Sequence, residues 1–177
     1  MLSDLALAVV RVTLGAVMAG HGAQKLFGAF GGGGIEGTAG FFQSLRIKSP
    51  RLSATLVGVA ESAGGLGLAL GFLTPVACAA IAASMLGAIV LAHWPRFWVT
   101  EGGLEYPLVV LAAVSQFGLA GPGGWSVDAA IDTEGALPDP WTFIVLAVAV
   151  MAGVAWVAAA RSREEARPAE RERRPAA

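Results

Sequence analysis

Over residues 1–160 the apolar positions fall in long runs, not in the one-sided stripes of water-soluble helices or the alternation of half-buried strands. A helix that crosses a bilayer needs about 17 to 25 mostly apolar residues. Five stretches approach or reach that length: Leu5 to Leu26, Leu52 to Leu73, Val76 to Ala92, Tyr106 to Ala120 and Trp141 to Ala160. Thr74-Pro75 divides the second from the third, because proline breaks a helix that runs into it. Gly121-Pro122-Gly123-Gly124 ends the fourth, which is the shortest. In hydrocarbon only helices and closed barrels satisfy their own backbone hydrogen bonds, so the pattern predicts an all-α integral membrane protein. Were these the buried helices of a soluble domain, five of them in 160 residues would leave no polar surface to face water. Between the first two runs, Phe41, Phe42 and Leu45 have the spacing of a short amphipathic helix lying on the membrane.

Composition supports this. Of 177 residues, 55% are hydrophobic and 14% charged, against about 25% charged in a typical soluble domain. The formal net charge of −1 offers no electrostatic footprint for nucleic acid. Cys78 is the sole cysteine, which excludes an internal disulfide or a dithiol relay within the chain. The chain opens Met1-Leu2-Ser3-Asp4 with no Lys or Arg ahead of the apolar run, so the first segment reads as a retained helix and not a cleaved signal.

The charges then orient the spans, since cytoplasmic loops are enriched in Lys and Arg. Five spans place Lys25, Arg46, Lys48, Arg51, Arg96 and the six arginines of 161–177 on one side, eleven of the 12 basic residues. The other side receives Asp128, Asp132, Glu134 and Asp139 and no basic residue. The expectation is an N-terminus outside and a C-terminus in the cytoplasm. Residues 161–177 mix Arg and Glu with two prolines and no large apolar side chain, a composition that predicts disorder. The resulting organisation is a transmembrane bundle over 1–131, an acidic loop and extra transmembrane helix over 132–160, and a charged cytoplasmic tail over 161–177.

Arg11 and Glu61 fall inside spans, where each costs about 2.5 to 3.5 kcal/mol to insert and faces a partner or a wet cavity. Counted from the span boundaries, Arg11 lies about 9 Å and Glu61 about 16 Å below the outer surface of a ~30 Å core, within reach of a guanidinium stem. The sequence therefore predicts an Arg11–Glu61 ion pair, which serves either helix register or function. Glu61 shares its face with Gly58, Gly64 and Gly65, small residues that allow close helix approach. A second polar group gathers at the cytoplasmic ends: His21, Gln24 and Lys25 on the first helix, His93 and Trp94 on the third, Glu101, Glu105 and Tyr106 at the fourth. Neither histidine there has a ligand at the i, i+3 or i, i+4 spacing of a helical metal motif, and the one pair at that spacing, Glu101 and Glu105, is all carboxylate, so no metal is assigned. Histidine near a carboxylate suits proton movement coupled to a quinone or another substrate; polar caps with an aromatic belt of Trp94, Phe97 and Trp98 are the alternative. Gly31 to Gly34 lacks the strand and Gly-Lys-Ser/Thr of a phosphate loop and reads as a flexible loop.

Taken in order and spacing, His21-Gly22-Ala23-Gln24-Lys25-Leu26-Phe27-Gly28, Ala60-Glu61-Ser62-Ala63-Gly64-Gly65, Leu70-Gly71-Phe72-Leu73-Thr74-Pro75, His93-Trp94, Gly102-Gly103-Leu104-Glu105-Tyr106-Pro107-Leu108 and Pro122-Gly123-Gly124-Trp125-Ser126-Val127-Asp128 resemble the DoxX family. The resemblance covers roughly residues 5–131. It implies a four-helix membrane bundle, here followed by a fifth transmembrane helix, and a redox-associated role in the bacterial cytoplasmic membrane. Similar members are linked to the membrane subunit of thiosulfate:quinone oxidoreductase, or to a membrane complex with a superoxide dismutase and a sulfurtransferase. The candidate cofactor on this resemblance is a quinone and the candidate protein partners are those soluble enzymes; the lipid bilayer is the partner the hydropathy predicts, and association with a second copy of the chain stays open. The chain departs from the family at Pro75, where a basic residue is usual, and in lacking the paired cysteines of members that handle disulfides. Glu61, Arg11, His21, Lys25, His93, Glu105 and Tyr106 are the residues expected to line the polar interior or its mouth. Two other classes stay open: a small-solute carrier with Arg11–Glu61 as its gate, and a non-catalytic membrane scaffold.

Overall fold

The computed structural model describes residues 2–131, together with 143–144, 147–148, 150–151 and 154. The described residues are helical with no strand. Helix α1 spans Leu2–Phe27, α2 Gly34–Ser44, α3 Pro50–Leu70, α4 Thr74–Ala88, α5 Glu105–Ala120 and the short α6 Val127–Ala130. A π turn, Ile89–His93, extends α4. Leu2–Phe27, Pro50–Leu70 and Thr74–His93 are long and apolar enough to cross a membrane, and Glu105–Ala120 is a shorter apolar helix. Much of the expected fifth span, Asp132, Glu134 and Asp139 of the acidic loop, and the tail over 161–177 lie outside the described residues.

Helix α1 lies along α3, α3 along α4 and α4 along α5, while α2 rests on α1 and α3. The α1–α3 seam depends on glycine. A side chain at Gly15 would come within 2.5 Å of the Ala69 amide and the Gly65 carbonyl, and one at Gly22 would collide with Ser62 and Gly58. The predicted small face of α3 is thus real: Gly58, Glu61, Gly64 and Gly65 are all buried. The core joins Met18, Leu68, Cys78, Ile81, Val114 and Phe117. Phe143, from the segment after α6, is buried in it against Gly118. Elsewhere Val9, Val10, Leu66 and Leu70 are roughly half exposed, as lipid-facing side chains of a membrane helix are.

The break between α3 and α4 is made differently from the sequence expectation. Gly71, left-handed at φ 63°, ends α3 as a C-terminal cap, and Pro75 sits in the first turn of α4, where a missing N–H costs nothing. Proline starts the second helix instead of stopping the first. The loop after α5 folds back on this turn. Asp128 accepts from the Leu73 amide (2.9 Å), the Thr74 amide (3.0 Å) and the Thr74 hydroxyl (2.7 Å), and its own amide donates to the Gly71 carbonyl at 2.8 Å. A carboxylate from a distant loop therefore caps α4.

Candidate functional site

The expected Arg11–Glu61 pair does not form. Opposed glycines set the register: Gly15 meets Gly65 and Ala69, and Gly22 meets Gly58 and Ser62. Glu61 is therefore level with about residue 21 of α1, some ten residues or about 15 Å from Arg11. Helical side chains also lean toward their own N-terminus, which tilts Arg11 away from Glu61 and Lys25 toward it. Counting from hydropathy boundaries missed both effects. Arg11, 3% exposed, instead donates to the Pro122 carbonyl (2.9 Å) and the Trp125 carbonyl (2.7 Å). It clamps the loop after α5 to α1, next to Gly71, whose missing side chain leaves it room, and the Gly124 amide reaches Asp4 close by at 3.3 Å. Arg11 thus belongs to a structural clamp at the opposite end of the helices from the polar cluster.

At the Lys25 end, Lys25 and Glu61 form an ion pair, and the Ser84 hydroxyl donates to the other carboxylate oxygen at 2.5 Å. Glu61 is 2% exposed and Lys25 27%. Lysine supplies the counter-charge and serine occupies the remaining oxygen, which a carboxylate needs in a low-dielectric interior. Ser84 was not singled out in the sequence. Its signal was present, as the sole hydroxyl of α4 beyond the first turn, in an alanine-rich run.

These groups form one end of a half-open cavity of about 740 Å³. Helix α2 and the residue after it supply Thr38, Phe41, Phe42 and Leu45 as one wall, α3 supplies Leu56 and Val57, and the end of α4 with its π turn supplies Met85, Ala88 and Leu91. The predicted amphipathic helix is present, and its apolar face turns to this cavity. His21, Lys25, Glu61, His93 and Tyr106 all line the same space, so five of the seven expected residues come together. The His21 and Tyr106 rings pack with centroids 5.5 Å apart. His93 Nδ1 lies 2.7 Å from the Gly102 carbonyl. Glu105 does not join them: its carboxylate accepts from the Val99 amide at 2.9 Å and braces the turn before α5. Gly31–Gly34 forms no phosphate loop; a short turn, Ala29–Gly31, leads into α2. Among the described residues no three His, Cys, Asp or Glu side chains converge as a metal cage.

Among the described residues the chain is all-helical, with spans of membrane length and a polar-ended cavity beside them, the make-up of an integral membrane protein. Residues 6–94 match the DoxX family model, half of the chain, and the chain belongs to the DoxX family. The match carries Arg11, His21, Lys25, Glu61, Ser84 and His93 and stops before Glu105 and Tyr106. No curated protein and no solved structure matches the chain.

Proposed function

We propose that this chain is the membrane subunit of a bacterial redox complex, of the thiosulfate:quinone oxidoreductase or thiol and oxidative-stress type, and that its cavity receives a quinone. The observation that carries the reading is one cavity with long apolar walls and a compact Lys25–Glu61–Ser84 end flanked by His21 and Tyr106. The residues fit such a ligand. A volume of about 740 Å³ is typical of small-molecule sites, which pair apolar walls with a few convergent polar groups. Lys25, His21 and Tyr106 carry N–H or O–H donors suited to carbonyl oxygens on a flat apolar ring.

A quinone, when bound, supplies the acceptor for two electrons and two protons. The chain's own residues prepare for it. Phe41 and Phe42 exclude water from one wall. The Lys25–Glu61 pair presents a donor and an acceptor whose charges cancel, and Ser84 holds the carboxylate in place. Cys78 is buried and is the one cysteine in the chain, so electrons must come from outside. The donor is a sulfur compound handled by a soluble partner such as a sulfurtransferase: joining two thiosulfates through a new S–S bond releases two electrons. The topology in this reading is five spans, with the N-terminus outside and the Lys25 end in the cytoplasm, as the eleven segregated basic residues favour. The carrier reading loses its gate, because Arg11 and Glu61 bind other partners.

The test is purification in mild detergent with analysis of bound quinone and co-purifying proteins. Thiosulfate-dependent reduction of decylubiquinone by the complex is expected to fall at least ~100-fold in Glu61→Ala, as for loss of a proton-transferring group, and to survive removal of 161–177. Wild-type rates in Glu61→Ala would overturn the reading. Solute flux in proteoliposomes without an electron donor would favour the carrier. Loss of partners on cutting the tail, with no chemistry in any preparation, would favour the scaffold.

A further inference from the structure

We propose that His93 is the group through which the cavity exchanges protons with water, and that it does so through Nε2 alone. The purpose of that exchange rests on the quinone reading, but the geometry stands apart from it. His93 closes the π turn Ile89–His93, in which the Trp94 amide reaches back five residues to the Ile89 carbonyl at 2.9 Å. Such turns within α-helices are frequent at functional sites. The turn brings His93 to the cavity wall, partly exposed, while Glu61 at the far end is buried.

The tautomer follows from the partner. A carbonyl oxygen has lone pairs and no proton, so in the 2.7 Å bond between His93 Nδ1 and the Gly102 oxygen the nitrogen donates. A neutral imidazole carries one N–H. With Nδ1 engaged, Nε2 is the bare nitrogen and the one place where His93 gains or loses a proton.

The Gly102 carbonyl is held in place by its own turn. Val99–Glu101 is one turn of 3-10 helix. The Gly102 amide donates to the Val99 carbonyl at 2.9 Å, the Gly103 amide to Trp98 at 2.8 Å and the Glu105 amide to Phe97 at 2.9 Å. Glu105 fastens the turn through the Val99 amide. The carboxylate that left the cavity thereby becomes a positioning residue for the histidine that stayed. The ionisable groups that line the cavity with His93 are His21 and Lys25 from α1, Glu61 from α3 and Tyr106 from α5, while Arg96, Glu101 and Glu105 follow it in its own loop and turn.

The step balances in protons and moves no electrons. Nε2 takes one proton from water and becomes imidazolium; it then gives that proton from Nε2 to a base in the cavity, a water or the oxygen of a bound acceptor, and returns to the neutral ring. Nδ1 keeps its proton on Gly102 throughout.

The chain's two histidines make the test direct. Imidazole 15N spectra of the full-length protein in lipid nanodiscs contain two residues, and His93→Gln removes and so assigns one of them; His21→Asn assigns the other if the first variant does not fold. The neutral His93 ring is expected to show Nδ1 protonated and hydrogen-bonded and Nε2 bare, with proton exchange with water at Nε2 alone. A bare Nδ1 in the neutral ring, or exchange with water at Nδ1 in place of Nε2, overturns the proposal. In the complex, His93→Gln keeps an N–H for Gly102 but cannot carry a proton; it is expected to slow quinone reduction about 100-fold and to flatten its pH profile. An unchanged profile also overturns the proposal. Failure of decylubiquinone to bind the wild-type protein, with the spectra as expected, overturns the quinone reading and leaves the histidine assignment standing.

Discussion

At the residue scale, the informative fact is which basic side chain neutralises Glu61. Breaking a buried pair costs about 3 to 5 kcal/mol when the group left behind is uncompensated. The two partners are unequal: Glu61 is 2% exposed and Lys25 27%. Lys25→Met strands a buried carboxylate with only Ser84 to hold it, and should cost about 3 to 5 kcal/mol. Glu61→Gln leaves a lysine that can turn to water, and should cost less than half as much. Detergent-denaturation curves of the two variants check the order, and the reverse order would contradict the account. The charges themselves were legible in the sequence, because ionisable residues in apolar runs are conspicuous. Their pairing was not, since it depends on helix register and on the lean of each side chain, and neither is written in hydropathy.

The elements pair through glycine seams and one trans cap. Replacing Gly22 by leucine forces α1 off α3 at Ser62 and Gly58 and should cost about 2 kcal/mol or more, within the 1 to 3 kcal/mol range of overpacking or above it. Gly20→Ala is the matched control: a side chain there meets nothing within 4 Å and should leave stability within about 0.5 kcal/mol. Unequal melting temperatures of the two variants are the expected result, and equal ones would mean the seam does not hold the helices. Asp128→Ala removes the cap on α4 and leaves two amides and a hydroxyl unpaired. It should destabilise by about 1 to 3 kcal/mol yet leave decylubiquinone binding unchanged, because the clamp lies at the far end of the helices from the cavity. A binding titration beside a melt separates the two effects. Most helices could be read from run length alone, to within a few residues at their ends. The Asp128 cap could not, because its partners lie more than fifty residues earlier in the chain. Phe41, Phe42 and Leu45 announced α2 by spacing, while what α2 covers became visible only when α3 and α4 stood beside it.

For the whole molecule, an even distribution of polar groups would have made a structural bundle. Here the polar groups divide between two ends. Arg11, Asp128 and Thr74 tie loops together at one, and Lys25, Glu61, Ser84, His21, His93 and Tyr106 border a cavity at the other. The basic loops fall at the cavity end. A reporter fused after Ala177 should be active in the cytoplasm and silent outside it, and the opposite result would reverse the topology. The central claim is that the cavity between α2 and the helices α3 and α4 receives a quinone. Photolabelling with an azidoquinone in nanodiscs, followed by peptide mapping, tests it most directly. The account predicts label on Thr38 to Leu45, in and just after α2, and on Ser84 to Leu91 at the end of α4 and its π turn, competed away by decylubiquinone and weakened in Glu61→Gln. Label spread over lipid-facing positions such as Val9 and Leu66, with no competition, would contradict it.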